Sequence, residues 1–383
     1  MAKKWVFLLA IIFCLTNAYG QNLIENSTGS FIFTPQAPLN RPPIEVFYHI
    51  PNGDISNMPI LFSFHGATRD GANYRDYWVG MANANGFMIF APEFSSTNYP
   101  GLGDNYLMAN IFDDGDNPSI ETFNNQNEWT FSILDPLFNH IKADISGQQQ
   151  KYSAWGHSGG AQFLHRFVMY MPNSNLDTAV CSNAGWYTVP EFGVNFPYGL
   201  NLGQLPNNTL ISAFSKKLIV HLGEDDTDPN SPGLRHNTIV DNQQGLFRLE
   251  RGQYFYSTSE TTAANLNVLF NWENELVPNV GHEPQLMAND ALQYLLVSLS
   301  TPTFDVNNGV KIYPNPTNTG RVTISSSNAN AMRISVFNVL GKQVKKAAIQ
   351  PNTSLDVSNL KSGIYIVRLE QNNATTTKKL IIK

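Results

Sequence analysis

Between Glu45 and Leu299, short continuous apolar runs alternate with longer segments of helical period, which predicts a mostly parallel sheet with helices on both faces. The predicted strands are Glu45–His49, Ile60–Phe64, Phe87–Ala91, Tyr152–Trp155, Thr178–Ser182, Leu218–Leu222 and Asn274–Val277. Most are apolar throughout, as strands covered on both faces are. Helices are predicted at Asn73–Asn85, Trp129–Ile145, Gly159–Tyr170 and Pro284–Leu299. In the last, Leu292, Leu295, Leu296 and Leu299 recur at i, i+3, i+4 and i+7. Tyr99–Asn127, rich in Gly, Asn and Asp, reads as a long loop over one edge, of a length usually tied to function or motion.

After Pro302 the pattern changes to strict alternation, as in Arg333-Ile334-Ser335-Val336-Phe337 and Gly363-Ile364-Tyr365-Ile366-Val367-Arg368. Turn residues at Asn338–Gly341 and Asn372-Asn373 separate the runs, and about seven short strands fit a small all-β sandwich. At the other end, Lys3-Lys4, an apolar run from Trp5 to Leu15 and then Ala18-Tyr19-Gly20 form a secretory signal pattern. That run is too short to span a bilayer, and no later stretch approaches about 18 consecutive apolar residues, so an exported, soluble mature chain is expected. The predicted organisation is a signal peptide over 1–20, a catalytic domain over 21–302, a linker over 303–308 and a sandwich over 309–383. No internal repeat is visible.

Composition sharpens this division. Charged residues make up 14% of the 383, hydrophobic ones 42% and aromatic ones 12%, enough for large packed cores and unlike disordered or coiled-coil chains. Residues 1–304 hold 13 Lys and Arg against 27 Asp and Glu, a net −14, while 305–383 carry +8. The acidic larger part argues against a nucleic-acid partner, because that affinity comes from clustered cations on phosphates. There are two cysteines, Cys14 and Cys181. The first lies in the predicted leader, so no intrachain disulfide is expected; Cys14 as a lipid anchor is disfavoured by Phe13 before it.

Gly156-His157-Ser158-Gly159-Gly160 follows the strand Tyr152–Trp155 and opens the helix Gly159–Tyr170, the strand, sharp turn and helix of a nucleophile elbow. Glycines suit a turn that needs positive φ or close backbone approach. A serine nucleophile needs a base, and the base needs an orienting carboxylate, in the chain order Ser, acid, His. Leu218–Gly223 runs into Glu224-Asp225-Asp226-Thr227-Asp228, at the carboxyl end of a strand where such sheets place their sites. The spacing from Gly223 selects Asp226, with Asp225 and Asp228 as rivals and a Ca²⁺-binding loop as the competing reading. Of eight histidines, His282 lies in the loop between the last strand and the last helix and is the expected base. The backbone N–H of Gly159 and that of Ala67, or of Thr68, in Phe64-His65-Gly66-Ala67-Thr68 are the expected oxyanion donors.

Trp186 and Tyr187, after the strand Thr178–Ser182, are candidates to line an acyl or aryl pocket, with ordinary packing as the alternative. Arg248 and Arg251 are read as structural ion-pair partners before substrate anchors, and Asp113-Asp114-Gly115-Asp116 as a solvated loop before a Ca²⁺ site. No zinc or nucleotide-binding glycine motif is present, so no metal and no cofactor is expected.

Two resemblances follow. Val310-Lys311-Ile312-Tyr313-Pro314-Asn315-Pro316, Val336-Phe337-Asn338-Val339-Leu340-Gly341-Lys342, Leu360-Lys361-Ser362-Gly363-Ile364-Tyr365 and Lys378-Lys379-Leu380-Ile381-Ile382-Lys383 resemble the C-terminal sorting domain of the bacterial type IX secretion system. This implies a secreted or surface-attached product, exported through the periplasm, whose residues 309–383 engage the secretion machinery. The segments Phe64–Gly71, Trp155–Phe163 and Val280–His282 resemble the α/β-hydrolase superfamily, and within it secreted polyester-depolymerase-like and feruloyl-esterase-like enzymes. The expectation is a serine hydrolase cleaving small or polymeric carboxylic esters through Ser158, Asp226 and His282. An amidase of the same fold and a non-catalytic surface binding protein are the alternatives.

Overall fold

In the computed structural model, which describes residues 23–299, 311–326, 331–338, 342–371 and 374–383, eight strands form one sheet. They are β1 (Ser27–Phe33), β2 (Ile44–Ile50), β3 (Ile60–Phe64), β4 (Met88–Glu93), β5 (Tyr152–His157), β6 (Leu176–Ser182), β7 (Lys217–Gly223) and β8 (Trp272–Val277). The order is β1-β2-β4-β3-β5-β6-β7-β8, with the β1–β2 and β2–β4 pairs antiparallel at one edge and the remaining pairs parallel. The chain passes from β3 outward to β4 and then returns to the far side of β3 with β5. The carboxyl ends of β3 and β5 therefore flank the point where strand order reverses, where open sheets of this kind leave a crevice.

Successive residues of the central strands feed opposite faces. Leu61, Ile89, Trp155, Val180 and Ile219 pack with α1 (Gly71–Asn85) and α7 (Pro284–Leu299). Phe62, Phe90, Ala154, Cys181 and Val220 join the larger cluster built with α2 (Leu134–Asp144), α3 (Gly159–Tyr170) and α6 (Arg248–Asn265). Burial on both faces is why these strands read as unbroken apolar runs.

Three parts of the pattern were not visible in the sequence. Edge strand β1 is half polar. Helices α4 (Asn207–Phe214), α5 (Thr238–Gln244) and α6 carry little apolar period, and α6 is rich in Ser and Thr. The predicted helix Trp129–Ile145 is instead two 3₁₀ turns, Gln126–Glu128 and Thr130–Ile133, followed by α2, whose Pro136 sits in the first turn where a missing N–H is harmless. Within Tyr99–Asn127, a π-helical turn spans Gly101–Leu107, and Tyr106, Leu107, Met108, Ile111 and Phe112 are buried, so much of this segment belongs to the core.

The chain divides into two compact units, Met1–Leu299 and Ser300–Lys383. In the second, β9 (Lys311–Tyr313), β10 (Arg321–Ser325) and β13 (Thr353–Asp356) form one antiparallel sheet. A second antiparallel sheet contains β11 (Met332–Asn338), β12 (Gln343–Ile349), β14 (Gly363–Gln371) and β15 (Ala374–Ile382). Val322, Ile324, Ile334, Val336, Leu355, Val367 and Leu380 close one shared core between them, a small sandwich. The predicted leader with Cys14, the predicted linker 303–308, the turn residues 339–341, 372 and 373, and the side chains of Leu296 and Leu299 lie outside the described residues.

Two glycines separate backbone approach from helix propensity. A Cβ on Gly160 would lie 2.1 Å from the Phe64 carbonyl oxygen, whereas one on Gly80, in the exposed part of α1, would meet nothing within 4 Å. Gly160→Ala is expected to destabilise the protein by about 2 kcal/mol or more. Gly80→Ala is expected to stabilise it by about 0.5–1 kcal/mol. Denaturant unfolding of the two variants measures both.

Candidate active site

The elbow is strained where the sequence requires it. Ser158 has φ 56° and ψ −113°, a left-handed backbone for a residue with a side chain. Its N–H donates to the Ser182 carbonyl (2.9 Å) and its carbonyl accepts from Gln162 N–H (3.1 Å), so both peptide groups of the turn are engaged. Gly156 and Gly160 make the turn possible: a Cβ on Gly156 would stand 2.4 Å from the Gly160 carbonyl oxygen. Such strain persists only where surrounding structure enforces it, and it gathers at functional sites.

Opposite the elbow, the loop after β3 is held from three sides. His65 Nε2 accepts from the Phe94 N–H (3.0 Å) and its Nδ1 donates to the Gly66 carbonyl (2.9 Å), while Tyr106 donates to the His65 carbonyl (2.7 Å). These bonds fix a neutral imidazole with its proton on Nδ1. A Cβ on Gly159 would lie 3.3 Å from the Ala67 nitrogen and 3.1 Å from Leu107 Cδ2, so the Ala67 and Gly159 backbones border one small space.

Asp226 and His282 meet because two loop backbones touch. Gly223 ends β7 with no side chain, and a Cβ there would be 2.4 Å from the Val280 carbonyl oxygen. Glu224 N–H and Asp225 N–H donate to the carbonyls of Val277 (3.0 Å) and Val280 (2.9 Å). Across this junction His282 Nδ1 lies 2.7 Å from Asp226 Oδ2. Asp226 is 4% exposed, whereas its rivals Asp225 and Asp228 face solvent. The other Asp226 oxygen takes Arg248 Nη1 at 3.3 Å, a buried ion pair in which Arg248 also donates to Ser231 Oγ (2.6 Å). The His282 ring packs on that of His157, the residue before Ser158, with centroids 4.5 Å apart, and its side chain is 29% exposed. Ser158 Oγ makes no hydrogen bond among the described residues; such contacts often tighten only with substrate bound.

The remaining candidates are packed. Trp186, 2% exposed, packs against the guanidinium groups of Arg166 (4.1 Å) and Arg235 (5.0 Å). Tyr187 is stacked on Phe255 at 4.5 Å, so in this structure neither lines an open pocket. Arg251 bonds to the carbonyls of Gly185, Arg235 and Gly245 and to Asp241, a structural set. Asp116 pairs with Arg235, Asp114 caps its own turn, and among the described residues no three His, Cys, Asp or Glu side chains are grouped to hold a metal. The bracing roles of His65 and Tyr106 and the His157–His282 contact were not read from the sequence; the His-Gly pair at 65–66 was the only signal for the first.

A doubly covered sheet with a serine elbow at its switch point, and an acid–histidine pair on the following strand ends, defines an α/β-hydrolase core. Comparison with solved structures agrees. Poly(aspartic acid) hydrolase-1 from Sphingomonas sp. KT-1 is 31% identical, with TM-score 0.66, over 72% of this chain and 100% of that one. The poly(3-hydroxybutyrate) depolymerase LpqC from Bordetella parapertussis is 25% identical, with TM-score 0.66, over 73% of this chain and 96% of that one. Residues 311–383 match the secretion system C-terminal sorting domain. No curated protein matches the chain. The chain therefore belongs to the α/β-hydrolase family of poly(aspartic acid) hydrolase-1, with a type IX secretion sorting domain fused to its C-terminus. The sorting domain marks a secreted or surface-attached protein, and among the described residues no helix is long and apolar enough to cross a membrane.

Burial sets how this core responds to acid. It pulls the His65 imidazole down to about 4 and pushes His157 and His165 well below their ordinary value. The unfolded chain, with histidines near 6.5, then binds more protons than the folded one below that pH, so stability is full above 6.5 and falls as pH drops toward 4. His65 alone is expected to remove about 2 kcal/mol between pH 7 and 5. Denaturant unfolding across that range checks this, and a flat profile would mean that the buried histidines are charged in the fold.

Proposed function

We propose that the protein is a secreted serine hydrolase that cleaves carboxylic esters through an acyl-enzyme. In this reading Ser158 Oγ attacks the ester carbonyl while His282 Nε2 takes its proton. Asp226 holds the Nδ1 proton of His282 and stabilises the imidazolium. The Gly159 and Ala67 N–H groups receive the developing oxyanion. Collapse expels the alcohol, protonated by His282, and water then releases the acid by the same steps in reverse. The observation that carries the reading is the 2.7 Å His282–Asp226 contact, formed across 56 residues of chain with the histidine ring resting on the residue next to the strained Ser158. The arginine on the second Asp226 oxygen supports it, because it holds the buried carboxylate in place. Ester-containing small molecules or polymers are the substrates, in keeping with the depolymerase among the relatives.

An amide as the scissile group is the second reading. It is favoured by the 31% identical relative named for poly(aspartic acid), a chain joined by amide bonds. The same triad serves both chemistries.

Ser158→Ala is expected to lower hydrolysis of p-nitrophenyl butyrate by at least about 10⁴-fold and to abolish labelling by a fluorophosphonate. Asp226→Asn is expected to lower kcat by about 10³–10⁴-fold, since the imidazole loses its orienting partner. Undiminished ester hydrolysis by Ser158→Ala would overturn the assignment. Comparison with aminoacyl p-nitroanilides separates ester from amide preference.

A further inference from the structure

The three residues proposed for the triad stand on strands that are not all neighbours. Ser158 follows β5, Asp226 follows β7 and His282 follows β8, in a sheet ordered β5-β6-β7-β8. Adjacent strands lie about 4.8 Å apart, so the end of β8 is about 14 Å from the end of β5. The base must therefore be carried back across the end of β7 toward the nucleophile. The strand in between, β6, supplies no member of the triad.

Asn183 follows β6. It is 1% exposed and has φ 50°, a left-handed backbone that asparagine adopts more readily than most residues. Its N–H donates to the His221 carbonyl in β7 (2.9 Å). Its side-chain Oδ1 accepts the Gly223 N–H (2.8 Å), three residues before Asp226. Its Nδ2 donates to the Gly281 carbonyl (2.7 Å), in the peptide bond that leads into His282. An N–H can only donate and a carbonyl can only accept, so these partners fix which way round the amide stands. The residue before it, Ser182, accepts the Ser158 N–H on its own carbonyl (2.9 Å). Two consecutive residues thus hold the turn at Ser158, the strand that leads to Asp226 and the loop that carries His282.

We propose that Asn183 is a positioning residue for His282. Its carboxamide ties the 280–282 loop to the end of β7 and so sets the reach of the imidazole toward Ser158. The inference rests on the serine-hydrolase reading above. The Asp226 bond holds the His282 ring at one nitrogen, and the ring is partly exposed. A bond to the peptide just before His282 fixes the backbone from which that ring hangs. Aspartate at 183 would keep the bond to Gly223 but set an oxygen, in place of a donor, against the Gly281 carbonyl.

The test uses the full chain and p-nitrophenyl butyrate, with kcat counted per serine labelled at completion by a fluorophosphonate, so that misfolded molecules do not enter. Asn183→Gly keeps the left-handed backbone and removes both side-chain bonds. It is expected to lower kcat by about 30- to 100-fold and to change KM by less than about threefold, as a base displaced by about 1 Å does. Asn183→Asp is expected to lower kcat by about tenfold or more, and it decides the matter if Asn183→Gly does not fold. A double-mutant cycle reads the path through the base: added to His282→Ala, Asn183→Gly is expected to change the residual rate by less than about twofold. A merely structural asparagine would reduce the labelled fraction and leave kcat per labelled serine at the wild-type value. One acting through the elbow would lower the His282→Ala rate by the full factor. Either result, or failure of both Asn183 variants to fold, would overturn the proposal. If wild type and Ser158→Ala hydrolyse the ester equally, the serine-hydrolase reading itself falls, and this inference with it.

Discussion

Everything at the site depends on how closely the start of α3 can approach the end of β3. Gly160 meets the Phe64 carbonyl with no room for a single carbon, and Gly156 meets the Gly160 carbonyl in the same way. That contact turns the chain sharply enough to force Ser158 to positive φ, and it sets Gly159 beside Ala67. The Ala67 and Gly159 backbones, about ninety residues apart in sequence, then lie side by side. Because β3 and β5 flank the reversal of strand order, this junction stands at the crevice of the sheet instead of under a crossover.

The acid–base half is assembled by a second contact of the same kind, at Gly223 against the loop 280–281. Its electrostatics are unusual in a stretch, residues 1–304, that is net −14. Asp226 is buried between His282 and Arg248, with one carboxylate oxygen on each. Removing one partner of such a buried set costs far more than forming it contributes, because the other charge is left stranded. The arginine therefore ties the position of the Asp226 carboxylate to the integrity of α6, on which it stands.

The strands that carry the site were legible because burial on both faces leaves continuous apolar runs, and the elbow was legible because its glycines answer a steric demand at fixed spacing. Asp226 could be preferred over Asp225 and Asp228 only by spacing from Gly223; its burial and its bond to His282 arise from a loop contact that no local pattern encodes. Helix α6 was silent because its inward face is small and partly polar, with Arg248, Arg251, Gly252 and Ser259 buried beside Phe255. Trp186 was placed correctly at the strand end, yet its environment was invisible: the two guanidinium groups over its ring come from residues 166 and 235. Tyr99–Asn127 misled in the other direction, since its polar composition hides an apolar stretch from Tyr106 to Phe112 that anchors it in the core.

Export places a further demand on this architecture. The described residues contain one cysteine, Cys181, buried in the central strand β6 with its thiol pushed well above its ordinary pKa by desolvation. It is a protonated core side chain, shielded from the oxidising exterior, and it contributes packing in place of a crosslink. A run of aromatic contacts from Phe62 and Phe64 through Phe163 to Phe94 and Tyr106 packs beneath the loop after β3. Those rings pack around His65. The same packing thus fixes the Ala67 backbone beside the elbow, as the oxyanion role proposed for it requires.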